Sequence, residues 1–213
     1  MKVLFAGFAA LALLGGCAGG GGYGGGYGFN RITLVEPRER EVAHTMRVTP
    51  SIRWNRLPRM ANEISREENW TLHGVTLDGL TFIGGLEHGR PLVRWQRRSD
   101  IRQVPNFRSD MTPPEIASMI ESFYRIRAGS LSFNMTGLQP RTFLGQPGFQ
   151  FDYEHLGGNE LHRQGRVVGA IIGRRLYMVL FDAPRDQFFP QIIPEVERII
   201  DSARLGRQPR PRG

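Results

Sequence analysis

The chain has 213 residues, 28 basic against 20 acidic side chains and a formal charge of +8 at pH 7, with Lys2 as its single lysine. One cysteine, Cys17, excludes a disulfide framework within the chain. The length suits one well-buried domain.

Lys2 precedes an apolar run from Val3 to Leu14, and Leu14-Gly15-Gly16-Cys17 stands at its end. One positive charge, an apolar stretch and small residues at the cut form a signal-peptide pattern. The run is too short to span a membrane, which takes about 20 apolar residues. Its last four residues resemble the lipobox of bacterial lipoproteins. That resemblance implies a signal peptide over residues 1–16, transfer of a diacylglyceryl group to the Cys17 thiol, and cleavage that leaves Cys17 as the N-terminus. A further acyl chain is commonly added in that family. One chain anchors only marginally, since each buried CH₂ contributes roughly 0.8 kcal/mol, whereas two or three hold durably. Ala18 follows the cysteine where an Asp would imply retention, so the resemblance implies a lipid anchor on the periplasmic face of the outer membrane. Acylation also consumes the lone thiol, which is then no catalytic nucleophile.

Residues 17–28 carry the sequence Cys-Ala followed by glycines and two tyrosines. So glycine-rich a stretch buries too little to offset its ordering entropy and is expected to act as a tether, with a root-mean-square span of roughly 17 to 20 Å. It lacks the preceding strand and following helix of a phosphate-binding glycine loop. The globular domain is expected over residues 29–205, and residues 206–213, rich in arginine and proline, form a disordered tail.

Within the domain, strands are expected at Met46 to Leu57, at Asn69 to Gly74 with Trp70 and Leu72 on one face, and at Leu77 to Gly85. Glu87-His88-Gly89 reads as a turn into a strand from Pro91 to Trp95. Thr112-Pro113-Pro114-Glu115 is a helix start, with Ile116, Met119, Ile120, Phe123 and Tyr124 on one face and Gly129 beyond the end. Phe149, Phe151, Tyr153 and His155 alternate with polar residues, and Gly157-Gly158 turns the chain. Val167 to Ile172 and Leu176 to Ala183 make the strongest hairpin, its second arm apolar enough for a central strand covered on both faces. A final helix is expected from Glu195 to Ala203, because Pro190 and Pro194 interrupt the stripe that begins at Phe188. Leu180 and Ile199 are expected to pack together between that strand and that helix.

The series Phe143-Leu144-Gly145, Gly148 to Tyr153, Leu176 to Pro184, a Phe-rich turn and a helix ending Ile199-Ile200-Asp201-Ser202-Ala203 resembles the PsbP-like fold. The resemblance covers the chain from Thr112 onward. It implies an α+β domain, an antiparallel β-sheet flanked by α-helices, with an accessory or binding role and no known enzymatic chemistry.

Motifs for chemistry are sparse. The five histidines lack HExxH spacing and no serine sits in a GxSxG elbow. His155, Glu160 and His162 gather the residue types of a metal site around a turn, but hairpin tips are commonly polar and solvated, so no metal or cofactor is expected. Glu67 and Glu68 beside Arg66 read as an exposed turn. The basic balance suits anionic lipid or envelope polysaccharide, with Arg204, Arg207, Arg210 and Arg212 as the contact residues and Arg94, Arg97, Arg98 and Arg102 as a second cluster. Export makes nucleic acid an unsuitable partner. The sequence therefore points to a non-catalytic binding or assembly factor of the cell envelope. A structural subunit packed on another envelope protein and a hydrolytic envelope enzyme are the alternatives.

Overall fold

The computed structural model describes residues 31 to 206 apart from 62, 95, 97 to 102, 128, 158 and 159. Cys17, Arg207, Arg210 and Arg212, and the expectations for residues 1–30 and 207–213, lie outside the described residues.

The chain opens with β1 (Thr33–Val35), β2 (Arg40–Val42), β3 (Met46–Val48), β4 (Trp54–Arg56), β5 (Glu67–Thr71) and β6 (Gly79–Glu87). Helix α1 (Pro113–Arg127) is followed by β7 (Ser132–Phe143), β8 (Gln146–Leu156), β9 (His162–Ile172) and β10 (Arg175–Pro184), then α2 (Phe188–Asp201) and β11 (Arg204–Leu205). Eight strands form one antiparallel sheet in the order β1-β4-β5-β6-β10-β9-β8-β7, and β11, β3 and β2 form a small second sheet. The result is the expected α+β architecture. No helix among the described residues is long and apolar enough to cross a membrane.

Strand β10 lies inside the large sheet between β6 and β9 and is buried on both faces, as its apolar run requires. Tyr177, Val179, Phe181 and Ala183 enter a core with Ile192, Val196 and Ile199 of α2. Leu176, Met178 and Leu180 enter a second core with Ile116, Met119 and Ile120 of α1. Leu180 therefore does not meet Ile199. Side chains alternate along a strand, so Val179 and Phe181 take the position expected of Leu180.

Across β8 and β9 the α1 face is built from rings laid over glycines. Phe149 lies opposite Gly169 and Tyr153 opposite Gly165 in register. A Cβ at Gly165 would stand 2.0 Å from the Tyr153 ring, and one at Gly169 would stand 2.9 Å from Phe149. Only glycine leaves room for these rings to lie across the neighbouring strand.

Several expectations are corrected. Met46 to Leu57 is two strands in two sheets, because Pro50 lacks a ladder donor and α2 takes the amides around it: Thr49 N donates to Ser202 Oγ at 2.8 Å and Ser51 N to Glu195 Oε1 at 2.7 Å. In place of the strand expected from Pro91 to Trp95, the described residues there form only a bridge from Pro91 to Asn106, since β5 and β10 already occupy both edges of β6. Helix α2 begins at Phe188, seven residues before the expected Glu195. Pro190 falls in its first turn, where the missing amide has no intrahelical partner to lose. The hydrogen bond lost at Pro194 is outweighed by burial of Phe189, Ile192 and Val196. The twelve-residue edge strand β7 was not expected, because its mostly exposed residues and its bulge at Gly137 hide the alternation. Pro140 and that bulge also blunt the edge against further pairing.

Ile199 is fully buried against β10, and Ile199→Ala is expected to lower the unfolding free energy by about 2 to 5 kcal/mol, measured by denaturant unfolding; a loss below about half a kcal/mol would contradict this packing.

Candidate ligand-binding cavity

Between α1 and the sheet lies a cavity of about 210 Å³. Ile83, Leu92, Phe123 and Leu180 supply its apolar walls, Arg163, Asp182 and Tyr124 one polar end, and Glu67 and Thr81 further polar groups.

Asp182 is the one acid of β10 and follows an apolar run from Leu176 to Phe181, and alternation places it on the α1 face with Leu180. A charge there must be paired. His155 Nε2 lies 2.8 Å from Asp182 Oδ2, Tyr153 Oη donates to the same oxygen at 3.3 Å, and Arg163 Nε donates to Oδ1. Arg163 also donates to Thr76 O at 2.9 Å, which ties the turn before β6 to β9. Tyr124 Oη of α1 lies 2.5 Å from Tyr153 Oη. Because Tyr153 gives its proton to Asp182, Tyr124 is the donor in that pair. Burial, reinforced for Tyr124 by the Asp182 charge, raises both phenols above their ordinary pKa, so both remain neutral.

His155 is buried at 5 % exposure in this network, where a solvated turn was expected. It does not gather with Glu160 and His162: His162 is exposed, and no group of three metal-ligating side chains occurs among the described residues. Ser130, His155 and Asp182 do form a chain, with Ser130 Oγ 3.2 Å from His155 Nδ1. The Ser130 hydroxyl, however, lies closer to Ser132 O, at 2.7 Å, and also reaches Leu156 O at 3.2 Å. Ser130 is itself buried and is not among the residues lining the cavity. This geometry suits a fastener between the α1 connection and the β8 end rather than an activated nucleophile.

Glu67 and Glu68 are strand residues, which corrects the exposed-turn reading. Glu68 is buried on the α2 side, accepting hydrogen bonds from Trp70 Nε1 at 2.9 Å and Ala43 N at 3.2 Å and pairing with Arg56 at 3.1 Å. Glu67 alternates to the cavity side. The Asn69 amide bridges it, at 3.1 Å, to Glu63, at 2.8 Å, while Asn69 Oδ1 accepts from Thr81 Oγ1 at 2.5 Å. Burial, aided by the Glu63 charge, pushes the Glu67 carboxyl up to about 7, and burial raises Glu63 as well. Near neutral pH the cavity therefore holds a carboxyl able to donate or accept.

Sequence reasoning missed Asp182, Arg163, Tyr124 and Glu67 as a group. The readable signal was a carboxylate inside a strand that must be covered on both faces. Of the expected anion-contact residues, Arg204 is described: it lies in β11 and ion-pairs with Glu39.

The folded chain holds the Glu67 proton to higher pH than the unfolded chain, whose ordinary value is 4.5. Stability contributed by this proton is fully present below pH 4.5 and is lost as pH rises through about 7. The loss amounts to about 3 kcal/mol. Denaturant unfolding from pH 4.5 to 8 is expected to show Glu67→Gln gaining on the wild type over this window; a constant difference between the two would contradict the assignment.

No protein-family model matches the chain, and no curated protein matches it in sequence. Among solved structures it is similar to the cyanobacterial PsbP, CyanoP, of Synechocystis sp. PCC 6803, with 10% identity and a TM-score of 0.50 over 87% of this chain and 98% of that one. It also matches LpqN of Mycobacterium tuberculosis, described as involved in cell envelope biogenesis, with 11% identity and a TM-score of 0.34 over 84% and 86% of the two chains. The first likeness shows the fold: this domain is PsbP-like.

Proposed function

We propose that the chain is a lipid-anchored protein of the bacterial cell envelope, held through Cys17 on the periplasmic face of the outer membrane, and that its domain is a non-catalytic binding or assembly factor. The observation that carries the binding role is the preformed cavity beneath α1, with apolar walls and hydrogen-bonding groups already fixed by their own partners. Its 210 Å³ is smaller than the roughly 300 to 1,000 Å³ of sites for drug-sized ligands. It suits a small amphiphile, or the apolar end of a larger one, with a hydrogen-bonding group directed at Glu67 or Tyr124. The anchor is supported by the lipobox residues Leu14-Gly15-Gly16-Cys17.

Gly79 lines the cavity, and a Cβ there meets nothing within 4 Å. Gly79→Leu should fill the void without displacing backbone. Native mass spectrometry of the chain extracted from membranes is expected to find a small bound amphiphile in the wild type and none in Gly79→Leu; equal occupancy would overturn the cavity assignment.

The anchor has its own test. Mass spectrometry of the mature N-terminus is expected to give an acylated Cys17, and Cys17→Ser an unprocessed precursor. A mature chain that keeps Met1 would overturn it.

A further inference from the structure

A second, more open cleft of about 400 Å³ is lined by Arg59, Arg66, Arg90 and Arg94, which come from separate stretches of sequence. Its acid, Glu87, is already paired with Arg175 at 3.0 Å. Arg59 contacts Glu63 O at 3.5 Å and its charge acts on the Glu63 and Glu67 carboxyls, whereas Arg66, Arg90 and Arg94 make no ion pair or side-chain hydrogen bond among the described residues. Like charges left without a paired carboxylate repel one another, and an anion seated among Arg66, Arg90 and Arg94 lowers that repulsion.

The guanidinium groups stand on fixed backbone. Arg66 O accepts from Gly84 N at 2.8 Å, which holds the segment before β5 against β6. Arg90 O accepts from Phe107 N and Gly89 N donates to Phe107 O, each at 2.8 Å, and Phe107 is fully buried. Beyond Arg94, the Gln96 side chain bonds both the N–H and the C=O of Val104 at 2.9 Å. Val93 and Leu86 anchor the cleft floor in the α1 core. The backbone that carries the arginines is thus held in place, and their planar forks match the oxygens of phosphate.

We propose that this cleft is an anion site that takes a phosphate-bearing molecule of about lipid-headgroup size, with Arg66, Arg90 and Arg94 as its main contacts. The 400 Å³ volume lies in the range of small-molecule sites. Its position favours a headgroup as the source. Arg59 also lines an adjoining cavity with Arg31 and Thr33, so the first described residues, which follow the proposed anchor in sequence, lie beside the cleft. The site needs neither the α1 cavity nor acylation of Cys17, and its failure would leave the proposed function standing.

The test is hydrogen–deuterium exchange on the full chain reconstituted in vesicles, read at residues 63 to 66 and 88 to 94. Pyrophosphate added to phosphatidylcholine vesicles is expected to slow exchange at both segments. In the double variant Arg66→Gln, Arg90→Gln, pyrophosphate should bind about tenfold or more weaker, given what charge-assisted hydrogen bonds contribute, with an unchanged melting temperature as the control for folding. Protection by phosphatidylglycerol in the vesicles as well assigns a lipid headgroup as the source. Protection by pyrophosphate alone assigns a soluble phosphate compound. No protection by either, or equal protection in the double variant, overturns the proposal.

Discussion

The Tyr153 ring lying across Gly165 is the contact on which the α1 side of the molecule depends. It brings the Tyr153 hydroxyl over β9 to Asp182 on β10, two strands from its own backbone. Tyr124 of α1 then reaches that hydroxyl, so the helix is placed by a hydrogen bond as well as by Ile116, Met119 and Ile120. The cavity is the space left beside this contact, where β5 and β6 present Glu67, Thr81 and Ile83 and the helix passes over them. A side chain at position 165 would displace the ring and with it the second partner of Asp182.

Asp182 collects partners from the two strands on one side of β10. His155 and Tyr153 come from β8 and Arg163 from β9, and the network spans three adjacent strands of one sheet. Buried ion pairs recover in attraction little more than they lose in desolvation, so the network adds modestly to stability. Register is where it acts. A one-residue shift of β9 against β10 would send Arg163 to the α2 face and leave a partly buried carboxylate without its cation.

The sequence was most legible where one period governed a whole element. The α1 stripe, the alternation of Phe149, Phe151, Tyr153 and His155, and the doubly covered β10 follow directly from 3.6-residue and two-residue spacing. It was illegible where long-range partners replace local ones. Glu195 and Ser202 of α2 divide Met46 to Leu57 by capturing its amides, and no local pattern announces a donor's partner some 150 residues away. Glu67 and Glu68 looked solvated because charge beside charge usually is. Only the pairing of β5 with β6 shows that one faces Trp70 and the other the cavity. His155 was seen with the wrong companions. Its neighbours in sequence are turn residues, and its neighbours in space are Asp182 and Ser130.

An arginine-rich composition invites the bland explanation that arginine stands wherever a basic residue is tolerated. The two sides of the domain separate that explanation from a functional one. On the α2 side the two arginines that face the helix are neutralised: Arg166 is bidentate to Asp152 at 2.6 and 2.7 Å and reaches Glu197 at 2.7 Å, while Arg141 pairs with Glu197 at 2.8 Å and Asp201 at 2.7 Å. Carboxylates sit where both of these guanidinium groups need them, and the helix is clamped to the sheet. Around Arg66, Arg90 and Arg94 the same residue type converges without that provision among the described residues. Compositional drift scatters cations or lets them meet acids; it gives no reason for them to gather, on backbone held by buried residues, around a cleft whose acid is already engaged. The unneutralised charge is therefore a feature of the site itself, with an anion from outside the chain as its complement.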